Sequence, residues 1–382
     1  MNMTKITNVE VIRLKAKQPS SPNYTWDRPV ARPYDKYPES LYDKENWMAI
    51  GAGEVVVKIT CDEGVYGLGS VGGYKLVPGD IIERQLKPLL IGKNPLQITK
   101  LWDAMFQTTI PVGRKGAAIE AISAVDIALW DLFGKLAGQP VYQLLGGRVR
   151  DDIPVYCTGS DYEYHKSIGC PNTKIPLPYG AIAGPDGLRK NVEYITKVRE
   201  ILGPDADIMI DCWMSLDLEY AIKLARAIEH LDIRWIEEPF IADNYDDYRR
   251  LRDILNPMGI LVTGGEHEFT LYGVRDLIEK GCVDIIQTDI WRAGGVTELK
   301  NITAYASAHH MKVIPHDHGG AGPAALHITL NSVNSPFAEV LMRNPDTSVF
   351  TNQPRPKNGV INVTDGPGFD YEINPDFGDI VD

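Results

Sequence analysis

The sequence DIMIDCWMSLDLEYAIKLARAIEHLDIRWIEEP, residues 207–239, contains two short apolar runs separated by an amphipathic stretch. The runs 207–211 and 234–239 predict β-strands that end close to acidic residues. Between them, apolar residues recur at helical spacing, at Leu218, Ala221, Ile222, Ala225 and Ile228. A strand, a helix with one apolar face and a second strand form a βαβ unit, which predicts a parallel sheet.

The same unit repeats along the chain from about residue 153 onward. Eight strands are predicted, at residues 153–157, 173–178, 207–211, 234–239, 260–264, 284–289, 312–316 and 337–341. Repeated βα units of this kind predict an α/β protein with a TIM-like (β/α) barrel, in which helices surround a ring of parallel strands. We predict a barrel domain at residues 126–343.

Residues 1–125 follow a different pattern, with strand-like runs at 9–14 and 54–60 followed by helix-like segments at 80–90, 97–107 and 117–136. This pattern predicts an N-terminal α+β domain. The tail, residues 344–382, is rich in Pro, Gly and Asn and too irregular to add another βα unit. We expect the tail to pack back on the first domain.

The composition excludes several classes of protein. With 44% hydrophobic and 24% charged residues, the chain of 382 residues is expected to be globular with a large core. A net charge of −12 without a clustered basic face disfavours nucleic acid and anionic membranes as partners. The N-terminus lacks a signal-peptide pattern, and the five cysteines contain no CxxC pair. We therefore expect a cytoplasmic protein.

Three predicted strands end in or lead into carboxylates, at Asp211, Glu237 and Glu266. The C-terminal ends of barrel strands converge on one site, so these side chains are expected to point into one pocket. Any one of them alone could cap a helix or pair with a basic neighbour, but all three together favour a metal site. Oxygen ligands favour Mg²⁺ over Zn²⁺, which prefers nitrogen or sulfur.

Two further strand ends carry Asp289 and His316. If adjacent strands place them side by side, the carboxylate can orient the imidazole as a general base for a carbon acid. The alternative for His316 is an ordinary strand-end histidine. The run from Gly67 to Gly72 matches the dinucleotide fingerprint GxGxxG, but no clear βαβ unit follows it, and we interpret it as a mobile glycine-rich loop.

These residues, in this order, resemble the metal ligands and the His–Asp dyad of the mandelate-racemase-like branch of the enolase superfamily. The runs AVDIALWDLFGK at 124–135 and LLGG at 144–147 look like the passage from capping domain to barrel in that family. Within the branch, DCWMS at 211–215, GEH at 265–267 and FAEVLM at 337–342 look like the L-rhamnonate dehydratases. The resemblance covers nearly the whole chain.

The resemblance implies a modified (β/α)7β barrel with an α+β capping domain, a bound Mg²⁺ and the dehydration of a sugar acid to its 2-keto-3-deoxy acid. In such an enzyme His316, oriented by Asp289, would remove the proton at C2, and hydroxide would leave from C3.

The resemblance also implies roles for other residues. Glu339 would contact the substrate carboxylate or the enediolate, Lys174 would assist with charge, and His267 would bind a hydroxyl or serve as an acid. In the capping domain, we expect contacts with the substrate from Trp26, Asp27 and Arg32.

Two departures from the family pattern bear on the reaction. Many relatives carry Lys-x-Lys at the end of the second barrel strand, where this chain has Lys174-Ile-Pro176, which argues against a racemase with bases on both faces. The run Glu238-Pro-Phe-Ile-Ala does not match the rhamnonate subgroup, so L-rhamnonate and pentonates such as D-arabinonate both stay open as substrates.

An epimerase or cycloisomerase and a non-catalytic barrel are the alternatives to a dehydratase. Resemblance suggests a homo-oligomer, with an octamer as one form.

Overall fold

The computed structural model describes residues 4–17, 30–37, 53–72, 76–316, 322–341 and 348–381. The N-terminal part of these residues forms an antiparallel sheet from β1 (Ile6–Ala16), β2 (Gly53–Cys61) and β3 (Tyr66–Gly72). Helical segments then follow: α1 (Leu76–Ile81), a π-helical turn (Ile82–Leu86), α2 (Lys87–Leu90), α3 (Ile98–Thr109) and α4 (Ala117–Ala137). The predicted α+β character of this part of the chain is confirmed.

Strand β3 corrects the interpretation of the glycine-rich run as a mobile loop. Alternate residues of a strand share one face, and here Gly67 and Gly69 face α4. A Cβ atom added at Gly67 would lie 2.1 Å from the main-chain oxygen of Ala128, and one at Gly69 would lie 2.2 Å from that of Ala124. The glycines therefore allow the backbones of strand and helix to approach closely, which is a packing role.

Helix α4 joins the two halves of the molecule, and most of its residues are buried. Its Asp131 accepts hydrogen bonds from backbone N–H groups of β3 and of Phe369, each at 2.8 Å. Its Asp126 accepts bonds from the N–H and the hydroxyl of Thr297, at 2.9 and 2.6 Å. The helix runs unbroken across the division drawn between residues 125 and 126. We propose that the domain boundary lies after this helix.

A second sheet contains eight parallel strands, each near its predicted position. They are β4 (Ile153–Thr158), β5 (Thr173–Pro176), β6 (Ile208–Asp211), β7 (Ile233–Glu237), β8 (Leu261–Gly264), β9 (Ile285–Ile286), β10 (Lys312–Val313) and β11 (Ala338–Leu341). From β4 to β10 each strand pairs with the next, and β11 returns to pair with β4. This strand order is that of a (β/α) barrel, and the predicted fold class is confirmed.

Helices follow each strand from β4 to β10, and no described helix follows β11, which is the (β/α)7β arrangement. After the short α5 (Val141–Leu144) they are α6 (Tyr162–Ser167), α7 (Gly184–Leu202), α8 (Leu218–Ile228), α9 (Tyr245–Leu255), α10 (Thr270–Glu279), α11 (Ile290–Ala293), α12 (Gly295–Ala308) and α13 (Ala324–Asn331). In α8 the buried side chains include Ala221, Ala225 and Ile228, as its periodicity predicts. Within the described ranges, no helix combines the length and apolarity needed to cross a membrane.

The C-terminal segment contacts both parts of the fold. Strand β12 (Val360–Ile361) pairs antiparallel with β4, at the start of the barrel. Strand β13 (Gly378–Ile380) pairs antiparallel with the end of β1, so that the order of the first sheet is β13-β1-β2-β3. The last described residues therefore complete the sheet that the first residues begin.

We predict that Gly69→Ala lowers the melting temperature, because the new methyl group would collide with the backbone of α4. Overpacking of this kind costs about 1–3 kcal/mol. Gly79→Ala in α1 is the matched control, since its methyl group would meet the end of the flexible Arg13 side chain at 3.1 Å. Differential scanning calorimetry of both variants tests this. Equal melting temperatures for Gly69→Ala and the unmodified protein would contradict the packing role.

Candidate active site

Three carboxylates meet at the C-terminal end of the barrel. Asp211 is the last residue of β6 and lies in register with Glu237, the last residue of β7. Glu266 follows two residues after the end of β8. All three are buried, with 5% or less of each residue exposed. Parallel strands that end at the same level thus place acids that are far apart in the sequence at one end of the barrel.

Burial disfavours the charged forms of these carboxylates. It raises the pKa of Asp211 to about 6, although Lys174 opposes the rise and the charge of Glu266 adds to it. It also raises the pKa of Glu237 to about 8, again opposed by Lys174 and increased by Asp211. A divalent cation would relieve this repulsion, and an all-carboxylate set of oxygen donors suits Mg²⁺. Donor atoms of Glu237 and Glu266 lie within 4.8 Å of each other and of His316, and Asp211 is not part of this group. The chemistry of the acids suits Mg²⁺, with Asp211 as a proposed ligand.

The predicted dyad lies beside these carboxylates. Asp289 and His316 occupy adjacent positions in a parallel bridge, and Asp289 Oδ2 lies 3.3 Å from His316 Nδ1. The other oxygen, Asp289 Oδ1, accepts the N–H of Trp291 at 2.7 Å, which fixes the carboxylate. His316 Nε2 faces the acids, 3.6 Å from Glu266 Oε2 and 4.0 Å from Glu339 Oε2.

The charge around His316 sets its protonation. Burial opposes the imidazolium, but the carboxylates of Glu266 and Glu339 and the bond to Asp289 raise the pKa to about 10. A cation held by the neighbouring carboxylates would lower this pKa again, because it would offset their negative charge. The availability of His316 as a base thus depends on the charge state of the same cluster.

Lys174 forms the positive centre of the cluster. Its ammonium group is fully buried, 2.5 Å from Glu237 Oε1 and 2.8 Å from Glu339 Oε1. Burial opposes its charge, but the two carboxylates raise its pKa well above the usual value. Glu339, on β11, also accepts bonds from the hydroxyls of Thr158 and Tyr156. Lys174 is therefore held as a cation and links a predicted metal ligand to Glu339.

Several contacts of the site could not be predicted from a sequence pattern. Arg292 donates to both the side chain and the main-chain oxygen of Glu266, at 3.0 and 3.1 Å. His267 Nδ1 lies 2.6 Å from the carboxylate of Glu238. Arg292 lies three residues after Asp289, and Glu238 directly follows Glu237. Closeness in the sequence to these candidate residues is the one signal that could have pointed to Arg292 and Glu238.

Part of the N-terminal segment lies at the rim of this site. The N–H of Ala31 donates to the carbonyl of Leu177, just beyond β5, at 2.8 Å. The ring of Tyr34 meets the edge of Trp213, just beyond β6, with centroids 6.3 Å apart. Arg32 lies between these contacts, with its guanidinium 5.7 Å from the Tyr34 ring. Trp26 and Asp27, also predicted to bind substrate, lie outside the described residues.

The fold and this arrangement of side chains define a class of protein. Residues 179–377 match the family model described as enolase C-terminal domain-like, and residues 49–146 match the mandelate racemase / muconate lactonizing enzyme N-terminal domain. The chain belongs to the enolase superfamily, and the resemblance read from the sequence is confirmed.

Within that superfamily, named relatives are similar over most of the chain. An L-rhamnonate dehydratase of Saccharopolyspora erythraea is 40% identical over 92% of this chain and 90% of its own length. A rhamnonate dehydratase from Gibberella zeae, in a crystal structure with Mg, is 33% identical, with a TM-score of 0.89 over 98% of this chain and 95% of its own. A 3,6-anhydro-D-galactonate cycloisomerase from Zobellia galactanivorans is 31% identical, with a TM-score of 0.82 over 97% of each chain.

We predict that Mg²⁺ raises the melting temperature of the protein, because a ligand at 100 times its Kd stabilises the folded state by about 2.7 kcal/mol. Glu237→Gln should largely remove this Mg²⁺-dependent rise. Glu193→Gln, a change on the exposed face of α7, should keep it. The measurement is a melting curve with EDTA and with increasing Mg²⁺. A rise of equal size in all three proteins would place the cation elsewhere.

Proposed function

We propose that this protein is a magnesium-dependent hydro-lyase that dehydrates a sugar acid to its 2-keto-3-deoxy acid. The observation that carries the proposal is the buried cluster of three carboxylates beside a carboxylate-oriented histidine. The similarity to L-rhamnonate dehydratases over nine-tenths of the chain supports the same reaction.

The chemical problem is the weak acidity of the proton at C2, next to the substrate carboxylate. Mg²⁺ held by Asp211, Glu237 and Glu266 would supply electrophilic stabilisation of the enediolate, worth several kcal/mol. Lys174 and Glu339 are joined by an ion pair, and we propose that the substrate carboxylate binds beside them. In this proposal Lys174 contributes positive charge there, and Glu339 positions the carboxylate or the enediolate.

His316 is the proposed base. Its Nε2 takes the C2 proton, while Asp289 holds Nδ1 and keeps the ring oriented. The electron pair of the C2–H bond then forms the C2=C3 bond as the C3–O bond breaks. The departing hydroxide takes up a proton and leaves as water, and the enol becomes the 2-keto-3-deoxy acid. One aldonate thus gives one ketoacid and one water.

The substrate is proposed to be L-rhamnonate or a pentonate such as D-arabinonate. We propose that Arg32, together with Trp26 and Asp27, contacts the carbon chain of the substrate and its hydroxyls. His267 would face a hydroxyl from the neighbouring loop. The ring contact between Tyr34 and Trp213 supports a place for this segment over the barrel mouth.

A cycloisomerase is the second candidate function, favoured by the similarity to the enzyme from Zobellia galactanivorans. Such an enzyme shares the first proton abstraction but retains the atoms of water in its product. The two reactions are therefore distinguished by whether a 2-keto-3-deoxy product forms. A non-catalytic barrel is less consistent with the retention of every predicted ligand and of the dyad.

We also propose that the protein is a cytoplasmic homo-oligomer, for which family resemblance is the support, with an octamer as one form. Sedimentation velocity would determine the subunit number.

We predict that, among aldonic and aldaric acids, a C5 or C6 monoacid is dehydrated and that EDTA stops the reaction reversibly. Formation of 2-keto-3-deoxy acid would be followed with semicarbazide. Activity confined to diacids, or racemisation of mandelate-like acids, would contradict the substrate class. Full activity after exhaustive EDTA treatment would contradict the metal requirement.

We predict that His316→Asn slows dehydration by at least ~10²-fold, since a positioned general base contributes about that factor or more. The control is His309→Asn, at an exposed position on the outside of the barrel, which should leave the rate unchanged. Steady-state rates of both variants test this. Normal turnover by His316→Asn, together with an inactive Lys174→Ala, would move the base to the opposite face of the site.

A further inference from the structure

The turn that carries Glu266 is closed by Glu268, a carboxylate to which the proposed reaction gives no role. After β8 the chain turns at Gly265, whose φ is +117°, and the N–H of Glu268 donates to the carbonyl of Gly265 at 3.2 Å. Glu266 and His267 lie between these two bonded residues. The position of Glu268 therefore helps to determine the path of the backbone that bears Glu266.

The side chain of Glu268 is held in a space that fits a carboxylate. Only 1% of this side chain is exposed, and its Oε2 accepts the hydroxyl of Tyr245, on α9, at 2.6 Å. Its Oε1 accepts the N–H of Phe269 at 3.2 Å. In α10, a Cβ atom added at Gly273 would lie 2.5 Å from the carboxyl carbon of Glu268, so this glycine makes room for the carboxylate. These groups supply hydrogen bonds and space but no positive charge.

The positive charge comes from the capping domain. Lys115 lies in the loop between α3 and α4, and its Nζ is 2.5 Å from Glu268 Oε1. Asp243, in the loop after β7, lies 3.2 Å from the same Nζ, but 79% of its side chain is exposed. An ion pair with an exposed partner contributes little to stability, whereas a buried carboxylate that loses its cation is strongly destabilising. The contact with Glu268 is therefore the more important of the two.

The same turn is also held from within the barrel. The backbone N–H of His267 donates to Glu238 Oε1 at 3.0 Å, and Arg292 donates to Glu266 Oε1 at 3.0 Å. The barrel thus fixes the middle of the turn, while a residue of the capping domain, 153 positions earlier in the chain, fixes its end at Glu268. A substitution at Lys115 would therefore change the support of the turn and leave these barrel contacts in place.

We propose that Lys115 is a positioning residue that, through Glu268, holds the turn bearing Glu266 in the conformation that binds Mg²⁺. The inference rests on the proposed magnesium site. With the ion pair intact, the turn needs no rearrangement to present Glu266 to a cation. Without Lys115, the buried charge of Glu268 favours opening of the turn toward water. Docking of the capping domain onto the barrel is thereby coupled to the affinity of the barrel for Mg²⁺.

Two measurements on the whole chain test the proposal. The first is hydrogen–deuterium exchange of the metal-free protein, followed at the backbone amides of residues 266–269. The second is the Kd for Mg²⁺, measured by isothermal titration calorimetry at a temperature at which each variant is folded. The variants are Lys115→Met, Lys115→Arg, Glu268→Gln and the double variant Lys115→Met/Glu268→Gln.

Two matched controls accompany these variants. Asp243→Asn removes the other carboxylate that pairs with the same lysine. Lys190→Met removes a lysine of similar exposure from its ion pair with Asp186 on α7. Both controls should match the unmodified protein in amide exchange and in the Kd for Mg²⁺.

We expect Lys115→Met to speed amide exchange in the turn at least ~10-fold, because it leaves a buried carboxylate without its cation. It should also raise the Kd for Mg²⁺ at least ~5-fold, a typical size for coupling between two sites. Lys115→Arg should largely restore both quantities, since its guanidinium can pair with the same carboxylate. The double variant should be no worse than Lys115→Met, because it also removes the buried charge.

The proposal is overturned if Lys115→Met leaves either quantity unchanged, if Asp243→Asn has an equal effect, or if exchange becomes faster throughout the barrel and not selectively at the turn. Equal effects of Lys115→Arg and Lys115→Met would overturn it too, since the loss would then not be one of charge. If Glu268→Gln does not fold, the comparison of Lys115→Met with Asp243→Asn decides. Absence of Mg²⁺ binding to the unmodified protein would instead contradict the proposed function, and exchange in the metal-free protein would still determine whether Lys115 holds the turn.

Discussion

Burial of several carboxylates at one end of a barrel is the constraint on which the site depends. In a medium of low polarity, like charges a few ångströms apart repel strongly unless positive charge is interleaved with them. Lys174 supplies it between Glu237 and Glu339, and Arg292 supplies it at Glu266. The remaining excess of negative charge favours the binding of a cation. A bound cation would in turn shift the pKa of each ionisable residue in the cluster.

The barrel makes this concentration of charge possible because each acid is borne by a different strand. Asp211 and Glu237 are neighbours through the register of β6 and β7, so a slip by one residue would turn one of these carboxylates away from the site. The residues that position the side chains of the site are also distributed over the sheet: Thr158 on β4 donates to Glu339, and Asp289, beyond β9, holds His316. The relative positions of the side chains in the site thus depend on the pairing of the whole sheet.

The sequence predicts those features that follow from a periodic pattern or from a position within the repeated βα unit. It does not predict contacts that depend on where a long side chain reaches in the folded protein. All eight barrel strands followed from βα periodicity, and strand ends indicated where Asp211, Glu237, Glu266, Asp289 and His316 lie in the fold. The contacts of Glu238 and Arg292 were not predicted, because their partners are 29 and 26 residues away and depend on backbone turns that no local pattern encodes. The glycines of β3 were misjudged for a related reason, since their partner is the backbone of a helix about 60 residues later.

The pairing of β13 with β1 has a consequence for synthesis of the chain. On its outer edge, the end of β1 pairs with residues 378–380, which are made after the entire barrel. For that interval the first sheet presents an open row of backbone donors and acceptors, the kind of edge on which chains pair with one another and aggregate. Loss of residues 378–380 would leave these positions of β1 exposed at the edge of the sheet.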